Sequence, residues 1–215
     1  MQRALTLYRT TVGKKVVMAL SGVIMVGFVT GHFLGNLNIY LGPEALNGYA
    51  EKLHSMPALV WTTRILLLFA LGAHIWSAYE LWRRNVTARG SHYKQRKDLA
   101  TDYAARTMYW TGPILLLYLI YHLLEFTIIP AHPGDVYRNV VEAFQNPWIS
   151  AFYVAANLAL GLHIFHGIFS AFQSVGANHP RYNSYRRDVA IAISAVITLG
   201  NVSFPISVLT GIVTL

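Results

Sequence analysis

Residues 16–37 read VVMALSGVIMVGFVTGHFLGNL, without one Lys, Arg, Asp or Glu. As an α-helix this stretch is about 33 Å long at about 1.5 Å per residue, enough to cross a bilayer core of about 30 Å. A helix at the surface of a soluble domain would carry a polar stripe, and none is present. Residues 189–213, VAIAISAVITLGNVSFPISVLTGIV, have the same character. Three further apolar stretches lie between them. The expected spans are 15–40, 59–83, 106–130, 147–176 and 188–213. The fold class is therefore all-α, an integral membrane bundle of five transmembrane helices, read as a single domain over 1–215.

Composition agrees. Of 215 residues, 54% are hydrophobic and 12% charged, about half the charged share of an average soluble domain. There is no Cys, which excludes a disulfide, a Cys-ligated iron–sulfur cluster, a zinc–thiolate site and covalently attached c-type haem on this chain. The apolar run after Lys15 is too long for the core of a signal peptide, so no cleavable leader is read. Gly42–Pro43, Met56–Pro57, Pro133–Gly134 and Asn146–Pro147 punctuate the connections. Pro205 lies inside the fifth segment and should kink it. The connections at about 41–58 and 131–146 have room for short amphipathic helices.

The net charge of +8 would suggest nucleic acid in a soluble protein. Its distribution indicates topology instead. Fourteen of the 17 Lys and Arg fall in the N-terminal arm, the 83–106 loop and the loop after the fourth segment. Lys52, Arg64 and Arg138 are the three on the other side. By the positive-inside rule the N-terminus is cytoplasmic and the C-terminus outside. No nucleic-acid partner is expected, and the basic cytoplasmic face suits an acidic partner.

Five of the nine His lie inside spanning segments: His32, His74, His122, His163 and His166. An ionisable side chain at membrane depth is a functional candidate. Depth sorts these five. His32 and His122 each lie about 12 Å from the outer ends of their helices; His74 lies about 13 Å, His166 about 15 Å and His163 about 20 Å from the inner ends. An outer pair and an inner pair, each drawn from two helices, is what bis-His ligation of two haems stacked across a membrane requires. Gly27, Gly31, Gly35, Gly72, Gly161 and Gly167 lie near these histidines, where they would let a flat macrocycle approach the backbone; small residues also pack helices. Lys14, Lys15, Arg83, Arg84 and Arg187 crowd the inner edge as candidate partners of haem propionates. Near the outer pair, Glu51, Glu125 and His54 are candidates for quinone binding or proton exchange, with Asn36, Asn38, Tyr40 and Arg64 nearby. His54, His92, His132 and His179 read as solvated loop residues. Two other readings stay open here: another bis-His dihaem cytochrome b anchor, and a haem-free transporter relaying protons through buried His.

Residues 12–53, VGKKVVMALSGVIMVGFVTGHFLGNLNIYLGPEALNGYAEKL, and 161–183, GLHIFHGIFSAFQSVGANHPRYN, resemble the cytochrome b membrane-anchor subunits of succinate dehydrogenases and fumarate reductases. With histidines on the first four segments and none on the fifth, the chain is similar to the single-chain, five-helix, two-haem type. The resemblance implies a distal haem b on His32 and His122 and a proximal haem b on His74 and His163, with His166 as the alternative on the fourth helix. It implies a multi-pass subunit of the bacterial cytoplasmic membrane. A flavoprotein subunit and an iron–sulfur subunit would dock on the cytoplasmic face, and menaquinone or another quinone would be the substrate in the lipid. No succinate site is implied on this chain. Members that carry protons through a glutamate two positions before the fourth ligand would have it where Gly161 stands, so that path is not implied.

Overall fold

The computed structural model describes residues 9–88, 103–177 and 179–215. Arg3 and the loop residues Arg89, His92, Lys94, Arg96 and Lys97 lie outside the described residues. Among the described residues there are helices and no strands. Helix α1 is Thr11–Asn36, prolonged by a 3-10 turn at Leu37–Leu41. Then come α2 (Pro43–His54), α3 (Pro57–Thr87) and α4 (Tyr103–Leu123), the last continued by a π-helical turn at Leu124–Ile128. They are followed by α5 (Val136–Gln145), α6 (Pro147–Ser174), a 3-10 turn at Pro180–Tyr182 and α7 (Asn183–Leu209). Five of these helices are long and apolar enough to cross a membrane: Thr11–Leu41, Pro57–Thr87, Tyr103–Ile128, Pro147–Ser174 and Pro180–Leu209. In hydrocarbon every backbone N–H and C=O must be satisfied within the chain, and a continuous helix does so.

The sequence chooses the ends. Thr10 accepts from the Gly13 N–H at 3.0 Å and starts α1. Asn146 accepts from Trp148 N at 3.0 Å ahead of Pro147, whose missing N–H is harmless in the first turn. Gly42, at φ 95°, turns the chain from α1 into α2, a conformation a Cβ would strain. Several spans extend beyond the expected limits: α3 runs past Arg83 to Thr87, and the third span starts at Tyr103. The last helix stops earlier, at Leu209 rather than near 213. Residues 210–213 fold back, with Val213 N bonded to Ser207 O. α7 runs on through the buried Pro205.

α3 packs on α1, α1 on α6, and α6 on both α4 and α7. α1 and α4 do not pack closely, nor do α3 and α6. The short helices α2 and α5 lie together over one end of the bundle, hereafter the capped end; the other is the basic end. A buried apolar cluster lies beneath this cap and joins Phe33, Ile39 and Leu46 to Tyr137, Val141, Phe144, Tyr153, Phe204, Val208 and Val213. Asn47 ties the cap together, donating to Asp135 Oδ1 and accepting from Tyr137 N, both at 2.9 Å.

Candidate functional site

The imidazoles meet in two pairs. His32 of α1 and His122 of α4 have ring centroids 5.8 Å apart, at 86° between planes. His74 of α3 and His163 of α6 have centroids 6.1 Å apart, at 57°. Each pair spans helices that do not pack closely on each other, so the rings reach across a gap. Metal–nitrogen bonds of about 2 Å on opposite sides of one metal put two imidazole centroids about 6 Å apart. Ring-to-ring contact alone gives a similar separation; the spacing of the helices is the independent observation. Among the described residues no group of three or more His, Cys, Asp or Glu gathers as for a protein-only metal site. Two imidazoles meeting across a gap would suit a metal whose remaining ligands come from a macrocycle.

The second ring nitrogen decides which atom is presented. His74 Nδ1 lies 3.1 Å from Met18 O and 3.3 Å from Ser21 Oγ. His163 Nδ1 lies 3.3 Å from Thr111 Oγ1, and His122 Nδ1 3.5 Å from Tyr153 OH. The Met18 carbonyl can only accept, so His74 Nδ1 carries the proton and its Nε2 keeps the lone pair. His32 differs. Its ring stacks on Phe28, and its Nε2 meets Asn36 Nδ2 at 3.1 Å, so ligation through Nε2 requires that amide to turn away. His32 is exposed although it lies within a spanning helix. On the fourth spanning helix it is His163 whose ring meets His74.

The glycines divide. A Cβ at Gly27, Gly31, Gly72 or Gly167 would meet nothing within 4 Å, leaving room beside the histidines. Gly35 and Gly161 are packing residues: their Cβ positions are filled by the Tyr49 ring and by Thr198. The expectation that they face a macrocycle is corrected accordingly.

At the basic end Lys14 is buried and pairs with Glu80 at 3.3 Å, and Glu80 also holds Arg83 at 3.2 Å. Lys15 and Arg187 are exposed there, and Arg84 donates to Arg9 O at 2.9 Å. At the capped end Glu51 and His54 are exposed on α2. Glu125 accepts from Tyr121 OH at 2.9 Å and from Tyr153 OH at 2.6 Å. Tyr121 also lines a hollow of about 260 Å³ with Trp148, Ile149 and Phe152. His132 is no solvated loop residue: its Nε2 contacts Glu142 Oε2 at 2.7 Å, and Arg138 holds the other oxygen at 2.7 Å. These partners hold the Glu142 carboxyl below its ordinary range, Arg138 first and His132 next. His179 accepts from Arg181 N at 3.2 Å.

Residues 84–200, more than half of the chain, match the family model for the succinate dehydrogenase/fumarate reductase transmembrane subunit. The chain belongs to that family. It is a multi-pass membrane subunit of the succinate dehydrogenase/fumarate reductase kind. Neither a curated protein nor a solved structure matches it. The family match takes in α4, α6 and most of α7, with His122, Glu125, His163 and His166, while His32 and His74 lie before it.

Sequence reasoning passed over Ser21, Thr111 and Tyr153, the side chains beside the histidine Nδ1 atoms. A hydroxyl inside an apolar span was the available signal, since such a group needs a partner there. Glu80 and the buried Arg186, which stacks on Phe169 at 4.9 Å, were also missed. The neighbouring Arg187 was chosen instead, because one residue of helix rotation separates a buried cation from an exposed one.

Proposed function

We propose that the chain, as one domain over residues 1–215, is the dihaem cytochrome b anchor of a succinate:quinone oxidoreductase. His32 and His122 hold the haem at the capped end, and His74 and His163 hold the haem at the basic end. The observation that carries this reading is the pair of ring separations, 5.8 Å and 6.1 Å, between helices that do not pack closely on each other. When bound, each haem b supplies a one-electron iron couple between an iron–sulfur subunit and membrane quinone.

The chain's own residues do the rest. Met18 O, Ser21 and Thr111 orient the ligands nearer the basic end. The basic end is cytoplasmic, in a bacterial inner membrane, where exposed Lys15, Arg83 and Arg187 meet the iron–sulfur and flavoprotein subunits. Lys14, Lys15, Arg83 and Arg187 also supply cations for propionates; Lys14 and Arg83 already share Glu80. Menaquinone reacts at the capped, outer end, with Glu51, His54 and Glu125 as the groups that exchange protons there. The hollow beside Tyr121 supports that position, since one hydrogen bond joins Tyr121 to Glu125.

A dithionite-reduced minus air-oxidised spectrum of the detergent-purified chain, with pyridine-haemochrome quantitation, tests this. Two b haems per chain are expected. His32→Ala and His122→Ala should each lose one haem, the same one. His74→Ala and His163→Ala should lose the other, and His166→Ala neither. A folded chain without haem overturns the proposal.

A further inference from the structure

The Nδ1 partners of the histidines differ in charge. Those of His74 and His163 are a carbonyl, with a serine hydroxyl beside it, and a threonine hydroxyl, all neutral. Behind His122 stands a carboxylate, one hydroxyl removed. Tyr153 OH donates to Glu125 Oε2 at 2.6 Å, which commits its proton. Its oxygen can then accept only from the other side, where His122 Nδ1 stands at 3.5 Å. Tyr121 donates to the remaining carboxylate oxygen at 2.9 Å. Both tyrosine hydroxyls donate to Glu125, so the direction of the chain is set: His122 N–H to Tyr153 O–H to Glu125.

The geometry is built rather than incidental. Glu125 lies in the π-helical turn that ends α4, where Ile129 N bonds to Leu124 O at 2.9 Å in place of the regular helical bond. Such turns re-aim a side chain and recur at functional sites. Tyr153 is 3% exposed, and its ring is wedged against Phe144 at 5.0 Å, Tyr118 at 5.3 Å and Phe126 at 5.9 Å between centroids. It cannot swing away from the carboxylate without breaking that cluster.

We propose that Glu125 is a positioning residue for His122, acting through the Tyr153 hydroxyl. The arrangement is a carboxylate–histidine–metal relay lengthened by one hydroxyl. Relays of this kind fix a ligand's tautomer and raise its basicity, and a more basic ligand favours the oxidised, more positive metal. The inference rests on the bis-His haem reading and adds an asymmetry to it: the haem at the capped end is tuned by a carboxylate, and the haem at the basic end is not.

The test is a spectroelectrochemical titration of the full chain. His74→Ala assigns the capped-end signal by removing the other haem. Glu125→Gln and Tyr153→Phe should each shift the capped-end midpoint potential to more positive values and leave the other haem's unchanged. Glu125→Gln added to Tyr153→Phe should give little further shift, because the two act in series. A low-spin electron paramagnetic resonance signal altered at that haem alone would accompany the shift. Two haems with both potentials unchanged in the single variants overturn the inference. So does a full additional shift from Glu125→Gln in the Tyr153→Phe background. If Glu125→Gln does not accumulate, Tyr153→Phe, which keeps the ring, decides alone. A wild-type chain without haem overturns the underlying haem assignment instead, and the two failures are distinguishable.

Discussion

Gly161→Ala should change sign with the residue at position 198. In a helix interior alanine is favoured over glycine by about 1 kcal/mol. At Gly161 the added methyl would stand 3.2 Å from both Cβ and Cγ2 of Thr198 on α7, and closer still to Oγ1. Overpacking of this kind costs about 1–3 kcal/mol. The two effects oppose, and the net in the native background is a loss of up to about 2 kcal/mol. Thr198→Ala removes both the colliding oxygen and the methyl. That Oγ1 is buried without a hydrogen-bond partner, so its loss leaves no orphaned group. In the Thr198→Ala background only the 3.2 Å contact with Cβ remains, and the same Gly161→Ala change should stabilise, by up to about 1 kcal/mol. The coupling energy of the double-mutant cycle is then about 1–3 kcal/mol. Unfolding in detergent by SDS titration, followed by circular dichroism at fixed lipid content, reads all four corners. If Gly161→Ala stabilises equally in both backgrounds, α6 and α7 are not in contact at this point and the packing argument fails. Because His163 is two residues along the same helix, a displacement here also moves His163 relative to His74.

The cap offers two more tests. Asn47→Ala removes two hydrogen bonds between α2 and α5, one of them to a carboxylate; a loss of about 1–3 kcal/mol in local stability is expected, read as faster amide exchange across α5 with α1 unaffected. The cap should also respond to acid. The Asp135 carboxyl is held below its ordinary range, first by the Arg138 backbone N–H and then by the Asn47 side chain. A depressed carboxyl contributes stability that is complete above its unfolded value, about 3.9, and lost as pH falls through the folded one. Protease sensitivity of residues 131–146 should therefore stay flat from pH 7 to pH 5 and rise only below about pH 4; a rise near pH 6 would show that another group governs the cap.

Much of this molecule is legible as one-dimensional pattern. Five apolar runs dictate five helices, because lipid leaves the backbone no other partner than itself. Pro57, Asn146 and Pro147 announce helix starts by local chemistry that needs no tertiary contact. The depth of a histidine is also local, since rise per residue is constant, and His32 with His122 and His74 with His163 follow from it together with the family resemblance. Boundaries such as Thr87 and Leu209 were not legible. A polar residue at a helix end continues the helix or leaves it according to what it finds in space.

What the sequence by itself determined, then, is which segments are helices, roughly how far along its helix each ionisable residue lies, and that no thiol is present. What only the tertiary structure decided is rotation and neighbourhood. It alone separates Arg186, buried, from Arg187, exposed, and Gly161, packed on Thr198, from Gly167, which faces open space. It alone joins Glu125 to His122 through a tyrosine on another helix. The reason is physical. Helix formation and burial in lipid are set by residues within a few turns of one another, whereas the azimuth of a side chain and its partner is fixed by side-chain packing between segments far apart in the chain.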